Sequence, residues 1–322
     1  MKILFHDNQL SYRGTSNAMF DYAFYSRELL GHEPVITYQK DNENNFTPAI
    51  KRFCDNFEVI PYQNTQELKN IIKNEQIDLF YKITGGEKEN LGIDIKTVIH
   101  AVFKHYEPYG DVYAYVSKWL SLEMSQGQSP FVPHIIHLPD HQADLRAELG
   151  IPKDAIVFGQ YGGAESFDIK FVQKTIKRLS KKRKDLFFLF MGTNPFAKAN
   201  LFFKYKNIIF LPTNVDMMYK VAFINTCDAF IHARHRGETF GIAIGEFSSK
   251  NKPIITFGDS EEKNHLQVLK DKAILYSNEH ELTDILMSFN PNVMKQKDWD
   301  CYSQAYSPAN VMTQFNQVFI EN

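Results

Sequence analysis

Short β-rich runs and helix-like segments alternate along the whole chain, and few folds accommodate such alternation. The runs with the length and composition of strands are KILF, PVITY, EVIPY, DLFYKI, TVIHAVF, VYAYV, AIVFGQY, FFLFMG, IIFLP, DAFIHA, PIITF and ILYS. Segments with apolar residues at helical spacing, such as FDIKFVQKTIKRLSKK and NVDMMYKVAFINT, lie between many of them. Because strands separated by helices join into parallel sheets through right-handed crossovers, the pattern predicts an α/β fold with helices on both faces of its sheets.

A break in this alternation divides the chain. Prolines and charges interrupt the strand rhythm in HLPDHQADLRAELGIPKDA, and we place the boundary between Leu145 and Pro152. A chain of 322 residues is long enough for two domains. We predict an N-terminal Rossmann-like domain over 1–145, a C-terminal Rossmann-like domain over 146–300, and a C-terminal helix over 301–322 that packs back across the domains. A cleft between two such domains is a natural ligand site.

Composition and charge narrow the classes of function. With 43% hydrophobic residues, 23% charged residues and a formal net charge of −2, the chain is typical of a folded protein without a dedicated polyanionic partner. It has no apolar run of the roughly 18 residues that a membrane span requires, and the run after Lys2 is too short for a secretory signal. Cys54, Cys227 and Cys301 match no zinc spacing. We expect a cytoplasmic protein with reduced thiols.

Two acids lie in the otherwise apolar, glycine-bearing segment RHRGETFGIAIGEFSSKNKPIIT. DAFIHAR predicts a strand, RHRGET the turn at its carboxyl end, and FGIAIGEFSSK a helix. Glu238 would then lie at the helix N-terminus and Glu246 about two turns along the helix. A buried carboxylate is unfavourable unless it accepts hydrogen bonds, which the hydroxyl groups of a ligand could donate. In the alternative interpretation, Glu238 is an ordinary first-turn acid and Glu246 faces solvent.

This segment resembles the E-x7-E segment of retaining glycosyltransferases with the GT-B fold, the family 4-like group also called glycosyl transferases group 1. GETFGIAIGEF has both acids at the family spacing, and NKPIIT stands where the family has a KPVI strand. LRAELGIPKDAIVFGQYGG and NVDMMYKVAFINTCDAFIHAR are similar to other parts of the family's C-terminal domain. The resemblance covers 145–256, and the N-terminal half matches only in general pattern. It implies two Rossmann-like domains whose parallel sheets face a central cleft.

The resemblance implies a retaining enzyme that moves a hexosyl or pentosyl group from a nucleotide-diphosphate sugar to a hydroxyl of a glycan, glycoconjugate or lipid-linked acceptor. Glu238 would hold hydroxyls of the donor sugar, and Glu246 would bind the ribose. Thr239, Phe240 and Gly241 would contribute amides to the donor site, and Gly14 would border the diphosphate. Neither a metal nor another cofactor is implied. His100 would be a second catalytic residue facing the transferred sugar, although a lone histidine at a strand end is also commonly structural.

The chain departs from the family pattern at the donor diphosphate. The family carries an arginine and, five residues later, a lysine after the first strand of the second domain, where this chain has Gly163 and Asp168. Either the amides of Gly162 and Gly163 form an anion-binding nest assisted by Arg234 and Arg236, or the donor differs. The departure also leaves room for a catalytically silent protein that binds carbohydrate or nucleic acid. A third possibility is a GT-B sugar-nucleotide epimerase.

Two further segments have ambiguous patterns. Residues 170–184 predict an amphipathic helix whose basic face is either solvated or in peripheral contact with lipid headgroups. Net charge near zero argues against nucleic acid as its partner. The loop after the first strand leads into a helix that starts near Gly14, Thr15 and Ser16, where phosphate oxygens could bind. A plain capped helix explains the same residues.

Overall fold

A computed structural model describes residues 1–197 and 205–322 and divides the chain into two units. The first unit contains Met1–Ile135 together with Gln304–Asn322, and the second contains Ile136–Ser303. Each unit is built around its own parallel sheet. None of the described helices is long and apolar enough to cross a membrane.

In the first unit, six described strands form a parallel sheet in the order β3-β2-β1-β4-β5-β6. They are β1 (Lys2–His6), β2 (Glu33–Thr37), β3 (Glu58–Val59), β4 (Leu79–Thr84), β5 (Lys96–Ala101) and β6 (Val112–Tyr115). Every residue of β4 is buried, as expected for a central strand covered on both faces. The order reverses between β1 and β4, and ligands of open α/β sheets bind at the carboxyl ends of strands beside such a reversal.

Helices join the first four strands of the first unit, and a fourth helix follows β6. They are α1 (Gly14–Leu30), α2 (Thr47–Cys54), α3 (Thr65–Asn74) and α4 (Lys118–Ser125). The connections from β4 to β5 and from β5 to β6 contain no helix. Helix α1 starts at Gly14, which confirms the predicted start. It ends at Leu30, and the cap residue Gly31 has a left-handed φ of 69° that lets its amide donate to the carbonyl of Arg27.

The second unit repeats the same strand order. Its strands are β7 (Ile156–Tyr161), β8 (Leu186–Met191), β9 (Ile208–Leu211), β10 (Ala229–His232), β11 (Gly237–Glu238), β12 (Ile254–Phe257), β13 (Glu262–Lys263) and β14 (Ala273–Tyr276). Within the described ranges, six of them form a parallel sheet in the order β14-β12-β10-β7-β8-β9, and β11 pairs separately with β13. The reversal in this sheet therefore lies between β7 and β10.

The described α-helices of the second unit are α5 (Lys170–Lys182), α6 (Met217–Thr226), α7 (Ile242–Ser249), α8 (Asn264–Leu269), α9 (Glu279–Ser288) and α10 (Pro291–Met294). Helix α11 (Pro308–Phe315) belongs to the first unit and packs on α1. There Phe315 stacks on the ring of Tyr22, with ring centroids 5.5 Å apart.

The predicted α/β fold with two parallel sheets is confirmed, and each of the predicted strands is present. Two local predictions need correction. Strand β11 falls within RHRGET, which the sequence predicts as a turn, and β13 falls in a segment without a predicted element, because two residues cannot show an alternating pattern. Helix α7 begins at Ile242 and not at Phe240, since Gly241 adopts a left-handed φ of 91° and caps the helix. Glu246 therefore lies about one turn into the helix, and not two.

Candidate functional site

The polar loop between β10 and α7 lies at the carboxyl end of β10, beside the reversal of strand order in the second sheet. Hydrogen bonds fix this loop on both sides. The amide of His235 donates to Asp168 Oδ1 at 2.8 Å, and the amide of Glu262 donates to the carbonyl of Arg236 at 2.7 Å. Gly237 has a φ of 78°, and a Cβ there would clash with the carbonyl oxygen of Glu262. Only glycine satisfies this turn.

Glu238 is held by two side chains of the same loop and strand. Its Oε1 lies 3.4 Å from His232 Nε2, and its Oε2 lies 3.2 Å from Arg234 Nη1. Burial raises the pKa of Glu238, but the hydrogen bond from His232 and the positive charge of Arg234 outweigh it and lower the pKa to about 2. The side chain keeps 22% of its surface exposed. Glu238 is thus an ionised, partly open hydrogen-bond acceptor.

The N-terminus of α7 follows Glu238 directly. Its cap residue is Gly241, which has no side chain that could accept from the first amides of the helix. Among the described residues, the amides of Thr239 and Gly241 donate to no acceptor. Phe240 is buried, and its carbonyl accepts a hydrogen bond from Asn264 Nδ2 at 3.0 Å. The loop that leads into α7 and its cap residue therefore present open N–H groups next to an ionised acid, and such groups attract anions.

Glu246 is buried and does not face solvent. Its Oε1 accepts a hydrogen bond from Lys220 Nζ at 2.8 Å, across from α7 to α6. Lys220 Nζ also lies 5.6 Å from the centroid of the Tyr161 ring. Sequence reasoning missed Lys220, although a single lysine within the apolar helix NVDMMYKVAFINT is a visible signal for a buried partner.

The predicted anion-binding nest after β7 lacks one of its two donors. The amide of Gly162 donates to the carbonyl of Met191 at 3.2 Å, so it is occupied within the sheet. Gly163 is exposed, and its carbonyl accepts from Ser166 Oγ at 2.7 Å. Asp168, which stands where the family has a lysine, binds the loop after β10 through the His235 amide. This contact gives Asp168 a structural role.

The two arginines of the loop each bind an acid and remain accessible. Arg234 contacts Glu238 and is 28% exposed in its side chain. Arg236 Nε donates to Glu262 Oε1 at 2.8 Å, with 45% of its side chain exposed against 3% for Glu262. The exposed guanidinium surface leaves both cations able to face a second anion.

The two remaining predicted residues belong to the first unit. Gly14 is the exposed first residue of α1, and no side-chain bond within the described chain caps that helix. His100 on β5 is fully buried, with Nδ1 2.7 Å from the Tyr81 hydroxyl and Nε2 2.8 Å from the Val132 carbonyl oxygen. Burial lowers the pKa of His100 to about 4. With both ring nitrogens engaged in the core, this geometry favours the structural interpretation of His100.

No protein-family model matches the chain, and no curated protein is similar to it in sequence. Solved structures match it over its whole length. HepE from Anabaena, in complex with UDP and glucose, is 13% identical with a TM-score of 0.73, and the match covers 100% of both chains. A glycosyltransferase from Rickettsia africae is 11% identical with a TM-score of 0.64 over 100% of this chain and 99% of the other.

A third match, from Listeria monocytogenes, is assigned as a UDP-N-acetylglucosamine 2-epimerase. It is 10% identical with a TM-score of 0.60, over 100% of this chain and 97% of the other. At such low identities the likeness shows the fold alone. The fold is GT-B, which the glycosyltransferase structures share.

Proposed function

We propose that this chain is a retaining glycosyltransferase that moves a sugar from a nucleotide-diphosphate sugar to a hydroxyl acceptor. The observation that carries the proposal is the environment of Glu238. An ionised acceptor with a pKa lowered to about 2 stands beside the open N-terminus of α7, at the reversal of strand order in a GT-B fold. The E-x7-E resemblance supports the retaining outcome.

In this proposal each end of the donor has its own acid. Glu238 accepts hydrogen bonds from hydroxyls of the transferred sugar, and Glu246 accepts them from the ribose. The open amides of Thr239 and Gly241 face the diphosphate, with Arg234 and Arg236 as the nearest cations of the loop. These groups replace the arginine and lysine that the family carries at Gly163 and Asp168.

In this mechanism the protein mainly positions the donor and the acceptor and forms no covalent bond to the sugar. The acceptor oxygen attacks the anomeric carbon from the face on which the diphosphate leaves, the bond to the diphosphate oxygen breaks, and that oxygen takes the acceptor's proton. The amides and arginines stabilise the charge that develops on the leaving group. The route needs no metal, and the two acids are ligand holders and not a hydrolase pair.

A second candidate is a sugar-nucleotide epimerase, which the fold relative from Listeria monocytogenes favours. The two activities differ in their need for an acceptor. An epimerase converts the sugar nucleotide or releases UDP without any acceptor, whereas a transferase forms a glycoside only when a hydroxyl acceptor is present. Product analysis with and without acceptor saccharides separates them.

We also propose that the basic face of α5 contacts anionic lipid headgroups, which would bring the enzyme to lipid-linked acceptors. Val172, Ile176 and Leu179 bury the other face of this helix in the core. The basic face borders a shallow concavity of about 410 Å³, lined by Lys174, Lys177, Arg178, Lys181, Lys182 and Tyr205. Its positive charge is the complement of a phosphate-bearing surface.

Donor binding is the first test. The purified protein is melted with UDP-, GDP-, ADP- and CMP-sugars, alongside Glu246→Gln and Glu261→Gln. Glutamine replaces Glu246 because it keeps the shape of the buried side chain and an oxygen to which Lys220 can donate, whereas alanine keeps neither, and Glu261 is an exposed control acid. At about a hundredfold excess over Kd, one donor should raise Tm by about 5 °C in the parent and in Glu261→Gln, but less in Glu246→Gln. No rise with any donor would favour a catalytically silent protein.

A further inference from the structure

His232 connects two side chains at the end of the central strand β10. It is 3% exposed, and its Nδ1 lies 2.9 Å from Thr256 Oγ1 while its Nε2 lies 3.4 Å from Glu238 Oε1. His232 and Thr256 are register partners on the neighbouring parallel strands β10 and β12. Register partners project from the same face of a sheet, so the strand pairing itself sets this contact.

The ionised state of Glu238 determines which group donates and which accepts in each of these two hydrogen bonds. An ionised carboxylate only accepts hydrogen bonds, so Nε2 of His232 must carry the proton that it shares with Glu238. In a neutral imidazole the other nitrogen is then an acceptor, and the Thr256 hydroxyl must donate to Nδ1. Among the described residues, the Thr256 hydroxyl has no other hydrogen-bond partner that would compete for its proton.

The imidazole of His232 is fixed on further sides. The Tyr276 hydroxyl donates to the His232 carbonyl oxygen at 2.7 Å. The buried ring of His265 packs edge-on against it, with centroids 4.9 Å apart at an angle of 66°. Burial lowers the pKa of His265 to about 3, so this second ring stays neutral. The contacts leave His232 little freedom to turn away from Glu238.

We propose that His232 is a positioning residue for Glu238 and that the Thr256 hydroxyl holds it in the Nε2–H tautomer. The proposal rests on the proposed function, in which Glu238 binds the sugar of the donor. His232 tethers one carboxylate oxygen and Arg234 the other, so the remaining lone pairs of both oxygens keep a fixed direction toward the sugar hydroxyls.

Matched substitutions test the proposed role. Thr256→Val removes the hydroxyl and keeps the shape, whereas Thr256→Ser keeps the hydroxyl. The amide nitrogen of His232→Gln reaches the place of Nε2, whereas that of His232→Asn reaches only the place of Nδ1. Each variant is titrated with UDP-glucose and with UDP, because Glu238 would bind the sugar and not the nucleotide.

We expect Thr256→Val and His232→Asn to weaken UDP-glucose binding about tenfold with UDP binding unchanged, and Thr256→Ser and His232→Gln to stay within about twofold of the parent. Equal weakening of both ligands would indicate general damage to the fold and would overturn the proposal. Unchanged UDP-glucose binding in Thr256→Val would overturn it too.

A measurement without ligand separates this inference from the proposed function. Imidazole ¹⁵N spectra of the parent near neutral pH report the tautomer of each histidine, and the signals lost in His232→Gln identify His232. The Nε2–H form is expected in the parent, with a shift away from it in Thr256→Val. The Nδ1–H form in the parent would overturn the inference. If the parent bound neither UDP-glucose nor UDP, the proposed donor would be wrong. The tautomer of His232 would still show whether Thr256 donates to its Nδ1 and whether its Nε2–H donates to Glu238.

Discussion

At Glu238, burial and hydrogen bonding act on one carboxylate in opposite directions. Burial raises the pKa, and His232 and Arg234 lower it further than burial raises it, to about 2 from an ordinary 4.5. The folded-state pKa lies below the unfolded one. The ionised acid therefore stabilises the fold at pH values above 4.5, and this contribution is lost only as the pH falls toward about 2. Near neutral pH, Glu238 offers a hydrogen-bond acceptor and no proton.

Replacing Glu238 by glutamine should impair transfer far more than stability. The amide keeps the shape of the carboxylate, but its NH2 group must face one of the two donors, His232 or Arg234, and it loses the charge that would bind sugar hydroxyls. Hydrogen bonds to charged groups contribute about 1.5–3 kcal/mol, so kcat/KM should fall by about 10- to 100-fold. Kinetics with the donor found by melting, and urea unfolding of the same variant, measure the two effects.

Glu261→Gln is the control for this change, because Glu261 lies nearby, is exposed and pairs only with the exposed His235 among the described residues. It should match the parent in both measurements. Equal transfer rates in Glu238→Gln and the parent would remove Glu238 from the donor site.

The place of Glu238 was predictable from its spacing to Glu246 and from the strand and turn before it. Its partners were less so. His232 lies six residues before Glu238 on the predicted strand DAFIHAR, where nothing in the sequence pairs it with that acid, and Thr256 reaches His232 only through the register of β10 and β12. His100 was a candidate by position alone, and only the structure shows its ring nitrogens bonded to Tyr81 and Val132.

At the scale of elements, a buried ion pair joins α6 to α7. The side chains of Lys220 and Glu246 are only 11% and 6% exposed, and Nζ lies 2.8 Å from Oε1. Such a pair is weak evidence for net stability, but removal of one member leaves the other charge in the core. The pairing therefore sets how α6 and α7 pack more than it raises the free energy of unfolding.

A double-mutant cycle tests this interpretation. Lys220→Met and Glu246→Leu should each lower the free energy of unfolding by about 3–5 kcal/mol, whereas the double variant should approach the parent. Urea unfolding of the four proteins gives the coupling energy. Additive losses in the double variant would show that the two side chains do not act as a pair.

The proposed contact of the basic face of α5 with anionic lipid headgroups can be tested by substitution. Each lysine near an anionic membrane surface contributes about 1 kcal/mol, so Lys174→Gln with Lys177→Gln should weaken binding to phosphatidylserine vesicles by about 30-fold. The control is Lys153→Gln, an exposed lysine of the same unit outside the helix. Co-sedimentation at low and high salt measures the effect. Loss of binding in the control as well would point to net charge and not to α5.

Most elements were predictable because parallel strands are buried on both faces and appear as continuous apolar runs. Strands β11 and β13 were not predicted, since a strand of two residues shows no alternation of apolar and polar side chains. The start of α7 was misplaced by two residues because the left-handed conformation of Gly241, and not an apolar pattern, sets it. Helix α5 matched its amphipathic pattern, with Val172, Ile176 and Leu179 buried.

At the scale of the whole molecule, both sheets have the same order, with the first and fourth strands of each at the centre. Alternation of strands and helices predicts parallel sheets, but the order of strands depends on contacts between distant segments, which a local pattern does not contain. The two units differ in what they bury. Among the described residues, the first buries His6, His100 and His134 and the second buries His232 and His265. Burial disfavours the charged form and lowers the pKa below the usual 6.5 for His6, His100 and His134, for the half-buried His32 of the first unit, and for His265 of the second.

These histidines predict that acid destabilises the first unit more than the second. A folded-state pKa below 6.5 means that the unfolded chain binds the proton first, so stability is full above pH 6.5 and falls toward the folded-state values, about 4 for His100 and about 3 for His265. Each such group removes up to about 1.4 kcal/mol per pH unit. Asp7 of the first unit opposes this, because burial raises its pKa from 3.8 to about 6.

From about pH 6 to about pH 5, the four first-unit histidines with lowered pKa, His6, His32, His100 and His134, should lower the stability of that unit, with Asp7 opposing them in part. The loss in the second unit should be smaller, because only His265 has a lowered histidine pKa there and the raised pKa of Glu262 opposes it. Each unit holds one of the chain's two tryptophans, Trp119 in the first and Trp299 in the second, and both are buried. Trp299→Phe leaves Trp119 as the only tryptophan, whose fluorescence reports on the first unit, and Trp119→Phe leaves Trp299 as the reporter of the second. Urea unfolding of the two variants at both pH values gives the two changes separately. An equal or larger loss at Trp299 would contradict the prediction, because the buried histidines would then not determine how acid acts on the fold.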